Sequence, residues 1–168
     1  EHKMEQLFVE KKQSNELTRQ LHFMSIELIT TFNIERLKNI MNSMLPGLGV
    51  NYFYIARYTD GKLRNHAKID IALRNGEEIE LSEEESICSS KELLPAKCLK
   101  KDERVTLLTM ALSFREERLG YVVYDLAHLE GLIYETLTIQ LSSTLKGAKL
   151  VEEIEETQRE VLYTLGDV

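Results

Sequence analysis

Thiols and imidazoles are the most reactive side chains in this sequence, and they are few and scattered. Cys88 and Cys98 are its two cysteines, too few for a disulfide framework and without the paired spacing of a metal site. The histidines occur singly, none with a second histidine one helical turn away, at His2, His22, His66 and His128. The sequence therefore predicts reduced thiols, no catalytic residues and no metal site, and it identifies no cofactor.

Length and composition indicate a single domain. The chain has 168 residues, of which 43% are hydrophobic, enough for one substantial core. Its formal net charge of −7 argues against nucleic-acid binding, which requires clustered Lys and Arg. No apolar run reaches the roughly 18 residues of a membrane-spanning helix, and no signal peptide is recognisable. Because the sequence also lacks an initiator Met, we expect a cytoplasmic segment of a longer protein.

Two helices are predicted at the start of the chain. Residues 1 to 32 contain neither Gly nor Pro, and four apolar residues have the 4-3-4 spacing of a coiled-coil seam: Leu17, Leu21, Met24 and Leu28. Asn33 is a suitable N-cap for a second helix, which Pro46 should end. The apolar face of this second helix is expected to pack on a sheet.

The middle of the chain has the composition of β-strands. The stretches "VNYFYIARY" and "LRNHAKIDIAL" flank the turn "TDGK", and Asn75-Gly76 is a hairpin signal. Later, "RVTLLTMALSF" and "LGYVVYDL" flank the turn "REER". Both strands of this hairpin are apolar on both faces, which predicts that they lie in the middle of the sheet. Residues 77 to 104 between the hairpins are mostly polar. We expect them to cover the sheet, with a short helix near "ESICSSKELL".

The last helix is predicted to extend beyond the domain. From Gly131 it runs for about 35 residues, or about 52 Å, whereas a domain of this size is roughly 40 Å across. Its second half keeps one seam at 3-4 spacing: Val151, Ile154, Gln158, Val161, Leu165 and Val168. Such a seam is typical of a helix that pairs with its own copy, so we predict a homodimer with Gln158 as a register-setting polar layer. We also expect the first helix to join this seam in a four-helix bundle.

The order of these elements resembles a GAF domain, a small-molecule-sensing relative of the PAS fold. The segments that carry the resemblance are "LKNIMNSMLPGLGVNYFYIARYTDG" and "LTMALSFREERLGYVVYDL". More narrowly, "SSKELLP" and "IYETLTIQLSSTLKGAKLVEEIEE" look like a GAF-like subgroup of bacterial multidomain regulators. The resemblance covers residues 15 to 155. It implies an α+β fold with a central antiparallel sheet flanked by helices, and long terminal helices that form a dimer bundle.

The resemblance also implies where a ligand would bind. GAF domains hold small molecules between the sheet and its covering segment, which corresponds here to residues 77 to 104. The candidate pocket residues are then Tyr52, Tyr54, Ser89, Ser90, Lys91 and Arg104. The Asn-Lys-Phe-Asp-Glu signature of members that bind cyclic nucleotides cannot be placed in this sequence, which disfavours cyclic GMP and cyclic AMP. Many GAF domains bind nothing and serve only as dimerisation or relay modules, so the resemblance implies either an unidentified ligand or none. An enzymatic alternative is similarity to free methionine sulfoxide reductase, with Cys88 and Cys98 as nucleophilic and resolving thiols.

The final residues resemble a connector to another domain. "TQREVLYTLGDV" is similar to the helix that leads into an HD-GYP domain, a metal-dependent phosphohydrolase acting on cyclic di-GMP. The metal ligands of that domain are not in this chain, and connectors to kinase or diguanylate cyclase domains look similar. We therefore predict a non-catalytic sensory chain with a dimerisation helix at 1–30, a GAF-like domain at 31–150 and a connector at 151–168. It would relay small-molecule or partner signals to an output domain.

Overall fold

Four helices and six strands make up the described part of the chain, residues 2–100 and 102–166 of the computed structural model. The helices are α1 (His2–Ile29), α2 (Ile34–Met44), α3 (Glu83–Ser86) and α4 (Gly131–Gly166). The strands are β1 (Tyr52–Tyr58), β2 (His66–Arg74), β3 (Glu77–Glu78), β4 (Ile87–Ser89), β5 (Leu107–Phe114) and β6 (Glu117–Asp125). Short 3-10 turns follow α2 at Pro46–Leu48 and precede β5 at Ala96–Cys98.

The six strands form one antiparallel sheet in the order β3, β2, β1, β6, β5. β4 pairs with the start of β2, at His66 to Lys68, and β3 pairs with its end, at Leu73 and Arg74. β1 lies in the middle of the sheet. Its first five residues are all buried, so this strand has to be covered on both faces. The predicted α+β fold, with a central antiparallel sheet flanked by helices and long terminal helices, is confirmed.

Local signals place the elements where the sequence predicts them. The Asn33 side chain accepts a hydrogen bond of 3.0 Å from the backbone N–H of Arg36, so it is the N-cap of α2. Asn75 and Gly76 have φ of 54° and 76°, the left-handed pair of a tight hairpin turn, and they connect β2 to β3. The predicted cap and hairpin are both confirmed.

The sheet has an apolar layer on each side. On one side α1, α2 and α4 pack on the inward-facing residues of β1, β2 and β6, and the fully buried members include Met24, Leu37, Phe53, Tyr124 and Leu141. On the other side the segment 77–104 covers a second cluster, which includes Tyr54, Ala67, Cys88, Cys98 and Val123. The sequence prediction that this segment covers the sheet is therefore correct.

Two predictions need correction, one for a short helix and one for the position of a strand. The stretch predicted as a helix near "ESICSSKELL" contains only the end of the single turn α3, and it continues as β4, which extends the sheet beyond β2. β5 lies at the edge of the sheet rather than in its middle. Its residues alternate between a face that packs on α4, with Leu112 buried, and an exposed face with Thr109 and Ala111. Small and hydroxylated residues at alternate positions tolerate water, so one covered face is sufficient.

The two long helices run parallel to each other. Ser25 Oγ accepts a hydrogen bond of 2.7 Å from Gln140 Nε2, and the Thr144 hydroxyl donates one of 3.0 Å to the Leu28 carbonyl oxygen. Both pairs have nearly the same sequence offset, 115 and 116, which is possible only for helices that run in the same direction. The free beginning of α1 and the free end of α4 therefore project from opposite ends of the domain.

This parallel arrangement corrects the predicted role of α1. Met24 and Leu28 are buried in the core of the protomer, so they join α1 to its own domain instead of facing a partner. Leu17 and Leu21 are partly buried and pack against the same core. α1 also cannot reach the second half of α4, because it ends at Ile29, level with the middle of α4. α1 and α4 therefore lie side by side only where they overlap, and the expectation that α1 joins the seam of the second half of α4 is wrong.

The second half of α4 stands free of the domain. Every residue from Leu150 to Gly166 is exposed, which corresponds to a free rod of about 25 Å at 1.5 Å per residue. The prediction that the helix outruns its domain is confirmed; Val168, assigned to the same seam, lies outside the described residues. No helix within residues 2–100 and 102–166 combines the length and apolarity that crossing a bilayer requires.

Candidate functional site

Hydrogen bonds from tyrosine hydroxyl groups connect the sheet to residues 77–104, the segment that covers it. The Tyr54 hydroxyl donates a hydrogen bond of 2.8 Å to the Cys98 carbonyl oxygen, and the Tyr121 hydroxyl donates one of 2.7 Å to that of Leu93. Burial raises the pKa of both phenols, so both stay neutral donors. The face where the sequence predicts a ligand pocket is thus held closed by tyrosines from β1 and β6.

The six predicted pocket residues do not come together at one place. Ser89 pairs with His66 at the start of β2, whereas Tyr52 pairs with Arg74 at its end, which separates them by about 26 Å at 3.3 Å per residue. Ser90 and Lys91 follow Ser89, whereas Tyr54 lies near Tyr52. Arg104 and Lys91 are exposed. The residues therefore form two groups at opposite ends of the covered face.

Each group contains one buried hydroxyl without a partner. The hydroxyl oxygens of Tyr52 and Ser90 are inaccessible to solvent and make no hydrogen bond with any described residue. Burial, together with the nearby Glu103 carboxylate, raises the pKa of Tyr52 to about 12. A buried polar atom without a partner is costly, and the Glu103 carboxylate is the polar group that acts on the Tyr52 hydroxyl.

The two cysteines lack the environment of reactive thiols. Cys88 and Cys98 are both free and buried. Burial raises the pKa of Cys88, and it raises that of Cys98 to about 11. The nucleophile in thiol chemistry is the thiolate, which reactive sites favour with nearby cations. These surroundings therefore do not favour the reductase alternative. Within the described residues, no cluster of three or more His, Cys, Asp or Glu side chains could hold a metal ion.

A charged cleft, which the sequence analysis missed, lies where α4 leaves the sheet. Its volume is about 520 Å³, and it is bounded by the β1–β2 turn, the β5–β6 turn and the part of α4 from Leu145 to Glu156. Three elements with different sequence positions therefore meet at one opening. We call it the exit cleft, because the free half of α4 starts here.

An arginine at the floor of the exit cleft links the sheet to α4. Arg57 donates hydrogen bonds to both carboxylate oxygens of Asp70, and its Nη1 donates one of 3.0 Å to Glu152 of α4. A β-bulge makes the first pair possible: Ile55 pairs with Ile71 and Ala56 with Ile69. Asp70 is the extra residue and faces the same side as Ile71. Although burial lowers the pKa of Arg57, the bonds to Asp70 and Glu152 raise it overall.

A second contact fixes α4 at the same place. Lys146 and Lys149 both donate to the carboxylate of Glu117 in the β5–β6 hairpin, Lys149 at 2.6 Å. The hydrogen bonds from Lys146 and Lys149 lower the pKa of Glu117. α4 is therefore held at the mouth of the exit cleft by charge pairs from two different parts of the sheet.

Known structures provide one informative comparison. No family model matches the sequence, and no curated protein is significantly similar to it. Among solved structures, the GAF domain of a phosphoenolpyruvate-protein phosphotransferase from Acinetobacter matches with a TM-score of 0.51 and 15% identity. The alignment covers 82% of this chain and 96% of that one. The chain has a GAF fold. The fold inferred from the resemblance is therefore confirmed, and at this identity the likeness concerns the fold alone.

The free half of α4 adds a second candidate site to the GAF fold. Between Leu150 and Gly166 all six charged residues lie on one side of the helix: Glu152, Glu153, Glu155, Glu156, Arg159 and Glu160. The opposite side carries only uncharged residues, of which Leu150, Ile154, Val161 and Leu165 are between 45% and 68% exposed. An amphipathic helix with no core of its own to cover has a surface suited to a partner helix.

Proposed function

We propose that this chain is a non-catalytic regulatory domain that forms a homodimer through α4 and relays small-molecule or partner signals to an output domain. The GAF fold supports a sensory or regulatory role in general. One observation carries the dimer: the second half of α4 is exposed from Leu150 to Gly166 and yet has one uncharged, largely apolar face that covers no core of its own. A helix of 17 residues without tertiary packing is only marginally stable in water, so this pattern needs a partner.

The seam supported by exposure is longer than the one predicted from the sequence. Uncharged residues recur along the outer face of α4 at 4-3-4 spacing, which repeats every 11 residues: Leu132, Thr136, Ile139, Ser143, Gly147, Leu150, Ile154, Gln158, Val161 and Leu165. All of them are exposed except Gly147, which is half-buried beneath the Phe32 ring of the same chain. This face is opposite the one that packs on the sheet. An 11-residue period gives 3.67 residues per turn, close to the natural helix, and keeps the row nearly straight.

This row favours a parallel dimer about a two-fold axis along α4. Two parallel copies would bring each row against itself, with Gln158 opposite Gln158 as a polar layer that sets the register. The acidic residues on the other face would remain in water. Because both subunits would pass α4 into their output domains side by side, a change in helix packing would reach both outputs. The size of that signal is limited by the difference in ligand affinity between the two packing states.

Sedimentation of a seam variant tests the dimer. We expect Ile154→Asp with Val161→Asp to convert the dimer into a monomer, because each pair of copies would bury four new carboxylates. The sheet domain should remain folded, since both side chains lie outside its core. Sedimentation equilibrium gives the mass, and near-UV circular dichroism reports the packing of the core tyrosines.

A control on the charged face of the same helix separates seam contacts from net charge. Arg159→Asp with Tyr163→Asp adds at least as much negative charge to α4, and we expect this variant to remain dimeric. A dimer that survives in the seam variant, or dissociates equally in both variants, would overturn the proposed interface.

We further propose that the output domain is an HD-GYP phosphodiesterase acting on cyclic di-GMP, with the chain in the cytoplasm, where unpaired thiols stay reduced. The similarity of the last residues to an HD-GYP connector supports this assignment. In the longer protein, an HD-type motif of metal-binding His and Asp after α4 is the expected finding. A kinase or cyclase sequence at that position would contradict it.

A further inference from the structure

The exit cleft combines a suitable size with an unusual distribution of charge. Its volume of about 520 Å³ falls within the range of about 300–1,000 Å³ typical of small-molecule sites. The wall formed by strands and turns contributes five cations and three acids, whereas the wall formed by α4 contributes one cation and three acids. A positive wall therefore faces a negative one across the opening.

Four of the cations on the positive wall have no carboxylate partner. Lys62, Arg64, Lys68 and Arg118 line the cleft and form no ion pair within residues 2–100 and 102–166, unlike Arg57, Lys146 and Lys149. Mutual repulsion makes such a group unfavourable unless an anion neutralises it. The whole chain has a net charge of −7, so this group of unpaired Lys and Arg side chains is a local exception to its overall charge.

The acidic residues of α4 now neutralise the positive wall, and an entering anion can displace one of them, Glu152. Asp70 is almost fully buried beside Arg57, with 8% of its side chain exposed, whereas Glu152 is 49% exposed. Glu152 can therefore leave Arg57 for water at little cost, but Asp70 cannot. An anion that entered the cleft would meet Arg57 through Nη1, the atom that now bonds Glu152.

We propose that the exit cleft binds a small phosphorylated molecule, whose phosphate oxygens replace the Glu152 carboxylate on Arg57. Arg and Lys at several angles suit phosphate, because its oxygens accept several charge-assisted hydrogen bonds at once. Binding here breaks one of the two contacts that hold α4 at the mouth of the cleft. The ligand thereby acts on the helix that leads to the dimer seam, without entering the covered face of the sheet.

Pyrophosphate is a suitable probe, measured by isothermal titration calorimetry with the full chain at constant ionic strength. We expect saturable binding with one site per chain. Lys68→Gln should weaken pyrophosphate binding about tenfold, which corresponds to the loss of one charge-assisted hydrogen bond. Lys11→Gln removes the same charge from an exposed residue in the free beginning of α1, at the opposite end of the domain from the free half of α4, and it should leave pyrophosphate binding unchanged within about twofold.

Removing the competing carboxylate gives the sharper test. Glu152→Gln should tighten pyrophosphate binding about tenfold, because Arg57 no longer has to exchange one charged partner for another. Glu155→Gln removes the same charge from the same helix outside the cleft, and it should change affinity less than about twofold. Non-saturable binding, or equal effects of the two Glu→Gln variants, would show general attraction of anions to the surface and would overturn the site.

The purpose of this site rests on the proposed regulatory function, but its test does not. The titration requires neither an output domain nor a particular oligomeric state. If pyrophosphate fails to bind while the seam variant still dissociates the dimer, the cleft assignment is wrong and the dimer assignment stands. If pyrophosphate binding follows the expected pattern in a chain that proves monomeric, the dimer assignment is wrong and the cleft assignment stands.

Discussion

The two halves of α4 have the same backbone but different surroundings. In the first half Tyr134, Leu141 and Leu145 are at most 1% exposed and pack on the sheet. In the second half every residue from Leu150 to Gly166 is exposed, although Leu150, Ile154 and Leu165 are equally apolar. The first half is therefore stabilised by its own domain. The second half needs stabilisation from outside the protomer, and this difference is the physical basis of the proposed dimer.

The largest expected contrast comes from truncating one side chain in each half. Leu141→Ala should lower the free energy of unfolding by about 3 kcal/mol, because it leaves a cavity in the core. Tyr163 is 77% exposed on the charged face, and Tyr163→Ala should change the free energy by less than about 0.5 kcal/mol. Urea denaturation measures both. Similar losses would mean that the free half packs on the domain and would remove the contrast.

A smaller contrast comes from two threonines with equivalent hydroxyl groups. Thr144 donates to the carbonyl oxygen of Leu28 in α1, whereas Thr157 donates to that of Glu153 within its own helix. Thr144→Val should cost about 1 kcal/mol of stability, since a buried bond between two helices is lost. Thr157→Val, at an exposed site, should be nearly neutral. Loss of the Thr144 bond without any change in urea midpoint would argue that α1 is not fixed to α4.

The smallest expected effect depends on pH. The pKa of Glu117 is lowered from its ordinary value of 4.5 by Lys146 and Lys149. Glu117 therefore contributes stability that is complete above pH 4.5 and is lost as the pH falls through its folded-state pKa. Because its side chain is 37% exposed, Glu117→Gln should cost less than about 1 kcal/mol at pH 7.

The pH dependence gives this last prediction its control. The difference in unfolding free energy between the unaltered chain and Glu117→Gln should shrink as the pH falls below 4.5 and through the folded-state pKa of Glu117, where the carboxylate takes up a proton. A difference that stays constant from pH 7 to pH 3 would show that Glu117 acts through packing rather than through its charge.

Local patterns in the sequence predicted the elements well, because their causes are local. The cap at Asn33, the Asn75-Gly76 turn and the long run without proline after Gly131 each need only neighbouring residues. The predicted position of β5 was wrong because apolar residues occur on both of its faces, as they do in a strand from the middle of a sheet. The role of Met24 and Leu28 was wrong because a core face and a dimer seam have the same spacing.

The candidate sites were harder to predict, because they depend on residues far apart in sequence. Arg57 is the one charge within the apolar strand β1, and Asp70 lies between two isoleucines of β2, which together are a signal for a buried ion pair. Their meeting depends on a bulge whose position only the register shows. The predicted pocket residues lie on the covered side. Their separation along β2 could not be predicted without knowing which residues of β2 pair with β1 and β4.

Disulfide cross-linking at the seam tests the central claim most directly. In a parallel dimer along the outer row of α4, position 154 of one subunit faces position 154 of the other. Ile154→Cys should therefore form an intersubunit disulfide under mild oxidation, seen as a band of double mass on a non-reducing gel. Glu156→Cys, on the charged face, should stay monomeric on the gel, and the native cysteines are buried. Equal cross-linking at both positions, or none at position 154, would contradict the account.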